Sequence, residues 1–338
     1  MTATETATRG TRAPGTTMKA AAIDRFGPPS VIKLHTLPIP RLGPHDVLIA
    51  LHSAGVGVWD AGLRRGRWAS GKERFPLVLG ADGAGIVADR GPRVRRFKVD
   101  DRVWAYEFAN AKGGFYAEYV AVNADSVGHA PRSLDLLQAG AAAVTGLTAY
   151  EGIGHLRLAE GETVLIFGAT GAVGTLAIQF ARHRGARVVA TATGSDASAL
   201  AKRLGAEDVV DSRNSDCVHR LQALAPEGID AVLALAGGDD FERCLAVVRH
   251  GGRVAYPHGV DPEPRPRRYV RAHAYDAVAD PRRFADLGAL TDEIRLKVPI
   301  AAHYPLAEAD RAHQRLEQGR VLGRIVLEVA GGGKADRR

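Results

Sequence analysis

The chain has 338 residues, 46% of them hydrophobic, and a formal net charge of +7. That length suits two domains of ordinary size with a substantial core. No apolar run reaches the ~20 residues needed to cross a bilayer, and two cysteines, Cys217 and Cys244, make neither a disulfide framework nor a closely spaced metal site, so a cytoplasmic location is expected. Residues 1–17, rich in Thr, Ala and Gly, lack the apolar core of a secretory signal and bury too little to order; they read as a disordered extension. From Met18 to about Pro131, short apolar stretches such as 47–51 and 85–87 are broken by FGPP, PIPRLGP and RGP, the texture of a small turn-rich β domain. LDLLQAGAAAVTGLTAYEGI then reads as a helix with Ser133 as its cap. Strands at 164–167, 187–191, 208–211, 231–235 and 252–256 alternate with helices after Gly174, over 197–204, near 217–224 and at 241–247. This period predicts a parallel doubly wound sheet. A proline-rich loop at 257–266 leads to a strand within 269–275, helices at 281–290 and 306–317, and a last strand at 323–329. That piece is expected to pack back on the N-terminal domain, and residues 331–338 to fray.

Basic clusters at 90–98, 265–271 and 337–338 are short, separated and not interleaved with aromatics, so no nucleic-acid partner is expected. The charge suits attraction of phosphorylated cofactors.

The most informative stretch is TVLIFGATGAVG, residues 163–174. An apolar strand meets Gly168, Gly171 and Gly174, with Ala169, Thr170, Ala172 and Val173 between them, and a helical segment follows. The spacing GxxGxxG is one residue longer than the usual dinucleotide fingerprint. The strand before it, the helix after it and the second strand supply the context. One glycine permits the tight turn, one lets a pyrophosphate approach the backbone, and one lets helix and strand pack closely. The helix N-terminus presents unpaired N–H groups to the phosphates.

An ordered series of strings resembles the medium-chain dehydrogenase/reductases, in particular their zinc-free quinone oxidoreductase (zeta-crystallin-like) branch. These are MKAAAIDRFGPPSVIKL, LGPHDVLIALHSAGVG, PLVLGADGAGIV, RFKVDDRVWAY, GGFYAEYV, AAAVTGLTAYEGI, LGAEDVVD, GIDAVLALAGG, GGRVAY and GRIVLEV, running from Met18 to about Val329. The resemblance implies an α/β protein: a GroES-like β domain (18–136 and 276–331) plus a Rossmann doubly wound parallel sheet (137–275), with the cofactor in the cleft between them. Zinc-binding members carry Cys–His near 57–58 and Gly–His–Glu near 80–82. Here these positions hold Gly57-Val58 and Gly80-Ala81-Asp82, which offer no thiolate or imidazole, so no metal is expected.

NADPH is the expected cofactor. No carboxylate stands at the end of the second strand to hold a ribose 2′-hydroxyl. Thr193, Gly194 and Ser195 offer donors to a 2′-phosphate, with no clear basic partner in the loop. Asp196 either repels a phosphate or caps the next helix. The resemblance further implies contacts from Thr145 and Thr148, from Ala236 and Gly237, from His258 and Gly259, and from Arg324 to the cofactor phosphates. Helix packing is the alternative for the two threonines, and a surface salt bridge for Arg324.

At the reacting end the resemblance thins. The family pattern GVNxxD is GVGVWD here, with Gly57 for the amide, and two family tyrosines match Gly62 and Trp68. Trp59, Asp60, Arg64 and Trp68 are left as pocket candidates, Asp60 more as an orderer of its loop than as an acid; Tyr106 and Tyr116 enter the cleft or pack as core. The expected function is zinc-independent hydride transfer from NADPH to a quinone or an enone by a homodimer paired through the sheet-edge strand within 269–275. The rivals are an alcohol or ketone reductase and a non-catalytic NADPH-binding or RNA-binding protein. Dimer and tetramer are not distinguished.

Overall fold

Apolar positions recurring at period two, punctuated by Gly and Pro, build the first third of the chain as strands. The computed structural model describes residues 16–69, 71, 73–265 and 267–329. The tail 331–338 and residues 1–15 of the expected extension lie outside that set. Thr17 corrects the extension's boundary, because it already pairs with Pro38 in the first strand.

The N-terminal elements are β1 (Thr17–Ile23), β2 (Ile32–Pro38), β3 (Asp46–Val56), α1 (Val58–Arg64), β4 (Leu77–Val78), β5 (Asp82–Arg90), β6 (Arg102–Tyr106), β7 (Tyr119–Asn123) and β8 (Val127–His129). They are followed by α2 (Leu136–Leu156), β9 (Thr163–Phe167), α3 (Ala172–His183), β10 (Arg187–Thr191), α4 (Ser195–Leu204), β11 (Asp208–Val210), α5 (Cys217–Leu224), β12 (Ile229–Ala234), α6 (Asp239–Cys244), β13 (Val248–Pro257) and β14 (Arg271–Tyr275). The chain returns through α7 (Pro281–Ile294), β15 (Ile300–Pro305), α8 (Ala309–Glu317) and β16 (Arg324–Glu328).

Strands β9 to β14 form one parallel sheet in the order β11-β10-β9-β12-β13-β14. The order reverses between β9 and β12, and a doubly wound sheet opens its ligand crevice at that reversal, beyond the carboxyl ends of the strands. The other elements form a three-stranded sheet, β2-β1-β4, and a seven-stranded one, β15-β16-β3-β5-β6-β8 with β7 on β3. β15 and β16 thus return the C-terminal piece to the β unit.

Helix α2 is apolar nearly all round, as a helix buried on several sides must be. It joins the sheets: Ser53 Oγ donates to the Leu136 carbonyl (2.6 Å), Val144 N to Asp82 Oδ2 (3.2 Å), and Tyr275 Oη to the Thr148 carbonyl (3.0 Å). Its cap corrects the sequence reading. Asp135 accepts from Gln138 N while Gln138 accepts from Asp135 N, a reciprocal box. Ser133 stands two residues before that cap, and its hydroxyl bonds Asp292 instead (2.7 Å).

Two further differences have simple causes. β15 was not expected, because IAAHYP alternates intermediate and exposed positions and carries little apolar signal at this edge of the sheet. Cys217 and Cys244, 27 residues apart in sequence, bring their buried sulfurs within 3.6 Å, because α5 and α6 cover the same side of the parallel sheet.

Candidate active site

The glycine turn leaves β9 at the reversal of strand order. Gly168 has φ +82°, a region that favours glycine, and its N–H is held by Thr191 Oγ1 at the end of β10 (2.9 Å). A Cβ on Gly174 would lie 2.6 Å from Ala169 Cα, so that glycine permits close packing of α3. Gly171 differs. It caps α3 in an extended conformation, and a Cβ there would meet nothing nearer than the Gly168 carbonyl at 3.6 Å. Protein packing does not demand this glycine, whereas a ligand approaching the backbone would.

Beside the turn lies a cavity of about 580 Å³, bordered by Thr193, Gly194, Ser195, Arg213 and Arg320. The two arginines supply the basic partners that the loop sequence lacked; one follows β11 and the other precedes β16. Arg213 is held by Asp211, whose carboxylate also accepts from Thr193 Oγ1 (3.2 Å). Those bonds outweigh partial burial and keep Asp211 below the usual carboxylate range. Asp196 also borders the cavity. It is not the helix cap, which is Gly194 with φ +87°, because α4 begins two residues earlier than the apolar pattern suggests.

The C-terminal return seals the turn. Gly323 N donates to the Thr170 carbonyl (2.9 Å). The next residue, Arg324, is 3% exposed, so the surface-bridge reading is corrected. Its Nη2 bonds Asp82 Oδ1 (2.8 Å), and its guanidinium lies 4.9 Å over the Trp59 ring. Arg324 Nε and Trp59 Nε1 are buried with no partner among the described residues. Such orphaned donors fit a ligand rich in oxygen acceptors.

Asp60 lies in the same cluster. Its Oδ2 accepts from Gly57 N (2.8 Å) and Tyr116 Oη (3.2 Å). Burial pushes its carboxyl up to about 7; the Arg324 charge opposes the rise and Asp82 adds to it. Asp82 is likewise raised by burial. Asp60, Leu63, Trp68, Gly80, Ala81 and Phe108 border a second cavity of about 1000 Å³ with mainly apolar walls. Trp68 meets Phe108 edge-on at 5.6 Å.

Two glycines make room for indoles here, and one of these, Trp68, borders the cavity. A Cβ on Gly57 would fall 2.5 Å from Trp59 Cζ2, and one on Gly62 would fall 2.7 Å from Trp68 Cζ3. The indoles therefore stand where side chains at 57 and 62 would reach.

Arg64 is a correction. It is wholly buried away from the cavity, bonded to the Gly27 carbonyl, His313 and Glu317. A guanidinium removed from water must find acceptors, and these three occupy it. Tyr116 is buried, and Tyr106 is pushed up to about 12 by burial.

The remaining expected contacts are dispersed. Thr145 and Thr148 lie in α2 and donate to the carbonyls four residues back (2.8 Å each), leaving their oxygens only to accept. Ala236 and Gly237 follow β12 at the crevice, with Gly237 pressed against Pro262. His258 is exposed and bonds Asp276 (2.9 Å), and Gly259 has φ +91° in open space. Neither the Tyr116–His313 contact nor the two arginines left a local signal, since each joins segments distant in sequence.

Among the described residues no group of three His, Cys, Asp or Glu side chains is placed to hold a metal, and no helix is long and apolar enough to cross a membrane.

A doubly wound parallel sheet with a glycine turn at its reversal point, capped by an antiparallel β unit, defines an oxidoreductase of the nicotinamide-dependent, medium-chain type. Family models agree: "Alcohol dehydrogenase GroES-like domain" matches residues 43–132 and "Zinc-binding dehydrogenase" matches 204–327. The quinone oxidoreductase of Sus scrofa is 31% identical over 326 residues, covering 92% of this chain and 97% of that protein. A mycobacterial protein solved with NADPH superposes with a TM-score of 0.82 at 28% identity, covering 92% of this chain and all of that one. An NAD-dependent alcohol dehydrogenase superposes with a TM-score of 0.86 at 29% identity, covering 93% and 100%. The chain belongs to the quinone oxidoreductase family of medium-chain dehydrogenase/reductases.

Proposed function

We propose that this protein is a zinc-independent NADPH-dependent reductase of quinones or enones, working as a homodimer. The observation that carries the reading is the junction at Gly323 and Arg324. There the C-terminal return ties Thr170, which borders the cavity edged by Arg213 and Arg320, to the buried Arg324–Asp82 pair; Asp60, within reach of the Arg324 charge, borders a mainly apolar cavity.

The residues suit the cofactor. Gly171 leaves the backbone clear for approach, the N-terminus of α3 would hold the pyrophosphate, and Thr193, Ser195, Arg213 and Arg320, which border one cavity, would hold a 2′-phosphate. Arg324 Nε and Trp59 Nε1 are donors for oxygen acceptors farther along. Bound there, the cofactor supplies a hydride; the protein orients it, excludes water and stabilises the charge that develops. Related solved structures include an NADPH complex and an NAD-dependent enzyme, so the preference for NADPH rests on this chain's own arginines.

Gly57, Val58 and Ala81 offer no metal ligand, which favours acceptors that need no Lewis acid over alcohols and ketones. Apolar walls built with Trp68 and Phe108 suit a bulky, flat acceptor. The test is oxidation of NADPH and NADH against a panel of quinones, enones, ketones and no acceptor, with metal analysis of the same sample. Turnover of ketones alone, or activity that needs stoichiometric zinc, would reject the reading.

A further inference from the structure

Four buried side chains form a line ending at the cavity. Arg64 Nη1 lies 3.1 Å from His313 Nδ1, His313 Nε2 lies 3.1 Å from Tyr116 Oη, and Tyr116 Oη lies 3.2 Å from Asp60 Oδ2. The line brings together α1, α8 and the segment before β7. Its direction follows from donor chemistry. A guanidinium only donates, so Nδ1 accepts and the neutral ring carries its proton on Nε2. That N–H donates to the tyrosine oxygen, and the tyrosine hydrogen is left for Asp60. Burial, with Arg64 and Arg65 behind it, takes His313 down to about 3, so the ring stays neutral and the direction does not reverse near neutral pH.

At the near end, Oδ2 also takes the Gly57 N–H, while among the described residues no bond falls on Oδ1. The other charged or titratable groups facing Asp60 are Asp82 on β5, Arg324 on β16 and Tyr106 on β6.

We propose that Asp60 is the acid that protonates the substrate carbon, and that Tyr116 and His313 position it by occupying Oδ2 and leaving Oδ1 to carry the proton. This rests on the reductase reading above. Hydride delivered to the β-carbon of an enone would move the C=C electron pair to the α-carbon and carbonyl as an enolate. The Asp60 Oδ1–H bond breaks as the α-carbon–H bond forms. The carboxylate left behind keeps two hydrogen bonds on Oδ2 and faces Arg324. Water then returns the proton. A carboxyl raised by burial to about 7 is a matched acid at neutral pH.

Asp60→Asn keeps an acceptor for the cap of α1 but has no proton to give, so it separates acid from loop anchor. Difference infrared spectra of the ligand-free full chain should show a protonated-carboxyl band that fades as pH rises through about 7 and is missing in Asp60→Asn. With an enone, Asp60→Asn should lose about 100-fold or more in kcat with little change in KM or cofactor affinity. Quinone reduction should fall much less, since a hydroquinone anion can take its proton from water. Tyr116→Phe keeps the ring and removes the donor, so it should move the infrared midpoint and the pH–rate limb upward together, which a merely structural tyrosine would not do. An Asp60 already ionised on the acid side of neutrality, or an Asp60→Asn enzyme matching the native one on enones, overturns the donor role alone. A native protein inert to every quinone and enone overturns the reductase reading and the donor role with it.

Discussion

Gly57 and Trp59 share one space: the indole lies where any side chain at 57 would begin, with Trp59 Cζ2 2.5 Å from the place of a Cβ. Gly62 and Trp68 repeat the relationship. At both positions the polar groups that family members often carry are absent, and an aromatic two or six residues later turns back into the gap. Indoles therefore stand where an amide and a tyrosine would, and Trp68 borders the apolar cavity.

Gly57→Asn should force the indole out and cost about 1–3 kcal/mol, the ordinary penalty of overpacking. Adding Trp59→Ala should restore room, so the double variant should be more stable than the sum of the singles by about 0.5–3 kcal/mol. Urea unfolding of the four proteins measures this, and additive effects would show that the two residues do not compete.

Gly171→Val should spare the fold and cripple cofactor binding. Its φ of −75° suits a branched residue and its Cβ space is open, so only the modest loss of a good helix cap, about 1 kcal/mol, is expected. Cofactor affinity should drop at least tenfold. Fluorescence titration of NADPH beside a thermal melt separates the two effects; unchanged affinity in a folded variant would move the pyrophosphate elsewhere.

Arg213→Ala and Arg320→Ala should each weaken NADPH and leave NADH nearly untouched. A charge-assisted bond is worth about 1.5–3 kcal/mol, so at least a tenfold loss per arginine is expected. Calorimetry with both cofactors is the check. Equal losses for NADH would point to a general basic surface instead.

Stability should respond to pH through two buried groups of opposite sign. His313 titrates lower in the folded chain than unfolded, so its contribution is present above pH 6.5 and is lost as pH falls toward about 3. Asp60 titrates higher when folded, so its contribution is present below pH 3.8 and is lost as pH rises through about 7. Each tenfold change in proton affinity is worth about 1.4 kcal/mol, which makes both effects a few kcal/mol deep. Relative to the native chain, His313→Gln should gain ground as pH falls and Asp60→Asn as pH rises. Denaturant unfolding across that range reads the slopes, and parallel curves for all three proteins would contradict the assignment.

The sheet of β9–β14 ends on β14, whose outer edge has no partner among the described residues. An open edge invites pairing with a second chain, and a two-fold axis through β14 would close it. Light scattering at micromolar concentration should therefore give about twice the 35.8 kDa of one chain. A single-chain mass that persists on concentration would leave β14 as a solvent-facing edge.

The strand of residues 187–191 and the helix of 217–224 were legible to the residue, and the glycine turn was legible in kind. Their signals are local: apolar period, glycine at the turn, and strand alternating with helix. The absence of zinc ligands at 57–58 and 80–82 is likewise a matter of residue type. Neither Arg64 nor Arg324 was legible in role, because an arginine looks the same in sequence whether it lies on the surface or is buried.

By itself the sequence determined the doubly wound sheet, the second β unit and the place of the glycine turn, because backbone preference and apolar periodicity act over a few residues. Only the tertiary structure decided which charges meet. Tyr116 meets His313 across 197 residues, Arg64 meets Glu317 across 253, and Arg324 reaches Asp82 across 242. Pairing between such distant groups is enforced by burial, which removes water as a partner and makes each polar atom take the nearest complementary one.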